Sequence, residues 1–152
     1  MGRRIEAVAL PVVFQRPVRL MAYVYGHGQL LFRGRQEPEE GWDTTLDVLF
    51  ADVGSMSVRD HYPSLTIRLA DPEEEARLRA ADPRRWHDWR PFVLETEDGA
   101  PGHVVAGGLY WGESTAPETY DSFLLPSYEL TRLCPDAPVP DEPAVVHTAA
   151  GR

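Results

Sequence analysis

The sequence predicts a mainly β domain, a β-sandwich or strongly curved antiparallel sheet of about eight or more short strands carrying one short helix. Three observations predict it. Apolar and polar residues alternate at period two along most of the length. Glycine- and proline-rich punctuation separates the alternating runs. Only one segment, residues 72–81, carries a full set of helix signals.

The first clear alternation sets Val18, Leu20, Ala22 and Val24 on one face and Arg19, Met21, Tyr23 and Tyr25 on the other. Gly26-His27-Gly28 interrupts it and Leu30 and Phe32 resume it, which reads as a hairpin turning at 26–28. Gln36–Gly41 is a polar loop by composition. Leu46, Val48 and Phe50 alternate with Asp47 and Ala51, and Leu65, Ile67 and Leu69 with Thr66 and Arg68. Between them, 52–57 and 60–64 are expected to turn.

Asp71 is placed to cap a helix, Pro72 suits its first position, and Glu73–Glu75 suit its positive dipole end. Glu73–Arg77 and Glu75–Arg79 add i,i+4 pairs in the favourable order. Asp82 precedes Pro83, which opposes continuation. The helix is expected to cover an edge or open end of the sheet. A helical turn is expected near Arg84–Trp89. Phe92 and Leu94 open another strand, and Asp98-Gly99 is a turn pair. His103–Trp111 is a long apolar strand, with Ala106-Gly107-Gly108 marking a bend or close backbone approach. Tyr120–Leu125 and Ser127–Leu133 read as the last strands. From Pro135 the chain turns proline-rich, then small-residue. This gives one β-rich domain over 4–134 and a flexible tail over 135–152.

With 43% hydrophobic residues among 152, the chain has enough apolar material for one core without staples. The single Cys134 excludes an internal disulfide and paired-cysteine zinc sites. Lys and Asn are absent and Ile occurs only at positions 5 and 67. These residues have AT-rich codons, so a high-GC bacterial genome accounts for their scarcity. Without Lys and Asn there is no Schiff-base lysine, no P-loop lysine and no N-glycosylation. No secretory leader and no apolar run of membrane-spanning length stands out, so a cytoplasmic location is expected.

The net charge of −9 is unevenly spread: residues 1–35 balance to +5, residues 36–63 to −6 and residues 98–152 to −6. The surplus acid disfavours nucleic acid and anionic membranes and favours basic partners, although it also serves solubility alone.

Two clusters combine aromatic and charged groups. In Trp86-His87-Asp88-Trp89-Arg90, the tryptophans offer hot-spot area. The plainer reading is a post-helix turn that plugs the core. The acidic loop Glu37, Glu39, Glu40 with Trp42 suits a basic protein partner, Trp42 anchoring and the carboxylates steering. Here the plainer reading is a solvated loop whose Trp folds back on the sheet. A different class of site, a ligand pocket at a barrel mouth, would draw on His27, His61, Tyr62 and Trp111. No G-x-S-x-G elbow, no metal-ligand spacing among the five His and no dinucleotide fingerprint is present, so no catalytic residue, metal or cofactor is assigned.

The stretch Leu46–Val53 followed by Leu65-Thr66-Ile67 resembles segments of small bacterial β-rich proteins, some of which accompany polymorphic toxins as immunity proteins. The resemblance implies neutralisation of a basic toxin. It covers a minor part of the chain and carries no diagnostic motif. The expectation is therefore a non-enzymatic protein-binding domain. The alternative is a small-molecule-binding barrel, or a small enzyme with a His/carboxylate mouth.

Overall fold

The computed structural model describes residues 4–25, 28–116, 122, 124 and 145–150. Among the described residues the fold is mainly β, with 56% of them in strands, one α-helix and a ten-stranded sheet that does not close. The strands are β1 (Arg4–Val8), β2 (Val12–Phe14), β3 (Val18–Val24), β4 (Gln29–Gly34), β5 (Thr45–Ser57), β6 (His61–Tyr62), β7 (Leu65–Leu69), β8 (Arg90–Glu95), β9 (Gly102–Ser114) and β10 (Val145–Ala149). The helix, α1, is Pro72–Ala81, between β7 and β8.

The main path runs β2-β7-β8-β9-β5-β4-β3-β6. Its two ends are drawn together by the chain itself. Only Gln15–Pro17 separate β2 from β3, and only Pro63–Ser64 separate β6 from β7. A sheet whose ends share polypeptide in this way must curl around its contents. The contents are apolar residues from alternate positions: Phe32, Phe50, Phe92, Tyr62, Leu65, Ile67, Leu94 and Leu109 are fully buried in one cluster. Their rings meet edge to face, with Phe32–Phe50, Phe32–Tyr62 and Phe50–Phe92 centroids 6.4, 5.9 and 5.6 Å apart.

β3 and β4 pair antiparallel as the expected hairpin, with Val24 opposite Gln29 and a bulge between Leu20 and Ala22 that shifts the register. The helix occupies the expected residues. Asp71 accepts from the Glu74 backbone N–H and Glu74 accepts from the Asp71 N–H, a complete capping box. It does not cover the sheet as expected: none of its residues is buried. It is tethered instead by Arg68, whose guanidinium donates to Glu74 at 2.6 and 2.9 Å and also to Glu95.

Three other expectations are corrected. Residues 52–57 do not turn but continue β5, which pairs with β9 as far as Ser57–His103. The turn signals there mark a bulge, with Gly54 the extra residue between Val53 and Ser55. Asp52 adopts φ 54° beside it, and its carboxylate approaches Gly107 so closely that a Cβ there would lie 2.9 Å from Oδ2. Residues 61–62 form a short strand against Val18–Arg19. Residues 145–149, placed by composition in a flexible tail, form β10, parallel to β1 and antiparallel to β9 at Tyr110 and Trp111. Val146 and Ala149 supply the reason, because both are buried. The remainder of that tail, and the strands expected over 120–133 apart from Ser122 and Leu124, lie outside the described residues.

Candidate functional site

The acidic loop is a built element. Pro38–Glu40 form one 3₁₀ turn, Gly41 closes it at φ 87°, and Glu37 and Trp42 exchange backbone hydrogen bonds of 2.8 and 3.1 Å across its base. The left-handed conformation at Gly41 explains the glycine there.

The residue that fastens this loop to the sheet is Arg16, in the link between β2 and β3. Its buried guanidinium donates to three carbonyls: Gly34 at 3.2 Å, Arg35 at 2.8 Å and Thr44 at 2.7 Å. It also reaches Glu113 at 3.4 Å and lies 5.6 Å from the centre of the Trp42 ring. Burial pulls the Arg16 pKa down from its ordinary value, against the opposing pull of Glu113 and Glu37. Trp42 is half-buried beside it.

Trp42 lines two clefts. One, of about 390 Å³, is walled by Arg19, Arg33, Arg35, Glu37 and His61, with Pro17, Val18 and Met21 as its apolar part. The other, of about 760 Å³ and shallower, runs along Val13, Gln15, Pro63, Ser64 and Thr66 to Glu95 and Glu97. Val13 is 53% exposed on β2 at its side.

The first cleft follows from strand register. Arg19 of β3 stands opposite Arg33 of β4 and also opposite His61 of β6. Arg33 in turn stands opposite Asp47 of β5 and donates to both its oxygens, at 2.7 and 3.3 Å, with both side chains almost wholly buried. Two residues further along, Arg35 donates to Glu37 at 2.7 Å.

The expected site residues divide. Glu37, Glu39, Glu40 and Trp42 share the hairpin, with Glu39 and Glu40 exposed. The Trp86–Trp89 cluster lies elsewhere and is largely used internally. Trp86 is buried, donates Nε1 to Asp82 O at 3.1 Å, and has Arg79 over its ring at 4.3 Å. Trp89 lies flat on Gly54, donates to Asp52 Oδ2 at 3.2 Å and has Arg84 over it. His87, at φ 24°, and Asp88 are exposed. Trp89 therefore meets β5 near Asp52, whereas Trp42 sits just before Thr45; the strand between spans roughly 25 Å. The two aromatic clusters do not form one surface.

The described residues of the expected barrel-mouth pocket do not converge either. Tyr62 is in the core, its oxygen accepting from the Arg59 N–H at 3.0 Å; burial raises its pKa. Trp111 is in the core against Phe14 at 6.0 Å and stacks on His147 at 5.8 Å. His61 lines the first cleft, and His27 lies outside the described residues.

Sequence reasoning missed Arg16, Arg19, Arg33 and Arg35. The signal was present in part: Arg33 and Arg35 stand two residues apart, Arg33 in β4 and Arg35 just beyond its end. Among the described residues, no three His, Cys, Asp or Glu side chains gather as a metal site, and no helix is long and apolar enough to cross a membrane. Comparison with family models, with curated proteins and with solved structures finds no match for this chain.

Proposed function

We propose that this domain is a non-enzymatic protein-binding module that grips a basic partner through the Trp42 hairpin, with neutralisation of a basic toxin as one form such binding takes. The observation that carries the reading is the state of Trp42. It is pinned by Arg16 and the Glu37 bridge at the junction of two open clefts, with the exposed carboxylates of Glu39 and Glu40 beside it. A rigid aromatic anchor ringed by charge is what interface hot spots are made of. Carboxylates at the rim raise association rates with cationic surfaces and make them salt-dependent. The filled core supports a surface site over an interior one.

The test is affinity capture from the native host, followed by binding measurements on the retained protein. Trp42→Ala is expected to weaken the complex by about 2 kcal/mol or more. Glu39→Ala is expected to slow association and flatten its salt dependence. Trp89→Phe, roughly 25 Å away, is expected to change neither. Failure to retain any protein at low salt, or full affinity in Trp42→Ala, refutes the reading.

A further inference from the structure

We propose that the cleft between Trp42 and Arg19 is a binding site for a small aromatic carboxylate, held by the Arg19 guanidinium with its ring against Trp42 and Met21. The inference goes beyond the protein-binding reading and stands without it.

Size comes first. A volume of about 390 Å³ lies within the range of small-molecule sites, and is too small for a protein element. Composition comes second. The protein carries a net charge of −9, yet this cleft gathers three arginines and a histidine around a wall of Pro17, Val18, Met21 and Trp42. Apolar walls with a few convergent polar groups are the usual make-up of a ligand site.

Charge bookkeeping then selects the ligand. Asp47 offsets Arg33 through a two-bond contact, and Glu37 offsets Arg35. Arg19 is exposed and makes no ion pair among the described residues. Among the described residues, Arg19 therefore adds to the cleft one positive charge that no ion pair takes up. One such charge matches a monoanion better than a phosphate dianion, and a guanidinium fork matches the planar carboxylate in shape. The Arg35–Glu37 pair also answers the objection that a carboxylate already lines the cleft: Glu37 Oε1 accepts from Arg35 Nε at 2.7 Å and its charge is engaged there. The aromatic body follows from Trp42 and from Met21, a side chain that favours aromatic contacts. The site is preformed, because Arg16 and the Glu37–Trp42 bridge hold the hairpin wall, so little ordering cost opposes binding.

The experiment titrates the full-length protein with benzoate, benzamide and phenyl phosphate, by calorimetry and amide chemical shifts. Saturable benzoate binding is expected, with shifts centred on Arg19, Met21, Arg35, Trp42 and His61. Benzamide and phenyl phosphate should each bind at least about tenfold more weakly. Arg19→Gln should lose about tenfold or more. Met21→Glu, which sets a second carboxylate in the cleft, should lose as much; both positions are exposed, and thermal melts confirm folding. Any of four results overturns the assignment: no saturable benzoate binding up to about 10 mM, equal affinity in Arg19→Gln, benzamide binding as well as benzoate, or phenyl phosphate binding better. Because no protein partner takes part, these outcomes are independent of whether the partner capture succeeds.

Discussion

At the scale of single residues, the Arg33–Asp47 pair has the largest consequence for stability. It lies across β4 and β5 with both side chains nearly excluded from water. Removing Asp47 takes the paired carboxylate from the buried Arg33 guanidinium, and breaking a buried ion pair costs about 3–5 kcal/mol. Asp47→Ala is therefore expected to lower the unfolding free energy by about that much, measured by denaturant titration with unchanged slope. Arg33→Met combined with Asp47→Leu should recover most of the loss, because a well-packed apolar pair is often equivalent. Alternation sets Asp47 on the face opposite to Val48, and the same period, carried one residue past Phe32, sets Arg33 opposite to it. It did not reveal that this opposite face is covered as well, as the burial of neighbouring Leu31 and Leu49 shows. A period-two pattern reports which residues share a face, not what lies over it. The same limit hid Arg16, whose neighbours Gln15 and Pro17 give no pattern at all, although its hydrogen bonds set the position of Trp42.

At the scale of elements, α1 was legible because its signals are local. Asp71, Pro72 and the Glu73–Glu75 run are read within one turn, and both i,i+4 pairs are present, each at 3.3 Å. Its attachment is not local. Arg68 and the Asp71 N–H hold the Glu74 carboxyl well below its ordinary value of 4.5, to about 2. A depressed carboxyl pKa contributes stability that is fully present above the unfolded-state value and is lost as pH falls through the folded one. The contribution should thus fade between pH 4.5 and about 2. Wild type should lose stability more steeply in that window than Glu74→Gln, read by thermal melts at stepped pH. The difference should not exceed about 1 kcal/mol, since water reaches the pair and screens it. The β5 segment shows the opposite case. Asp52, Gly54 and Ser55 carry every turn signal, yet the strand continues, because the β9 ladder lies alongside and Trp89 packs on the space a side chain would fill. Turn propensity yielded to a pairing that the local sequence does not contain.

At the scale of the whole molecule, the fold class was legible and the perimeter was not. Short alternating runs with one insertion suffice to indicate a curved β domain. The partnership of β1 with β10 joins residues some 140 positions apart (Arg4 with Val145), and no local pattern announces it. Compositional reading of 135–152 as tail makes a clear prediction, that truncation before Val145 is harmless. The structure makes the contrary one. Removing β10 deletes the buried Val146, the Trp111–His147 stack, the Thr148 hydroxyl bond to Leu109 O and the Arg90 bond to Ala150 O. A loss of about 2 kcal/mol or more is expected from the apolar burial alone. It is checked by thermal melting of the truncated protein, together with faster amide exchange throughout β1; an unchanged melt would restore the tail reading.

The parallel direction of that pair has a mechanical consequence. Arg4 and Val145 begin the two strands together, and Val8 and Ala149 end them together. Tension drawn through the chain before β1 and after β10 therefore pulls the strands past one another along their axes. The ladder's bonds bear such a load all at once, as a lap joint does, instead of parting one by one like a zip. The strand that composition reads as loose chain is thus the clasp that resists extension.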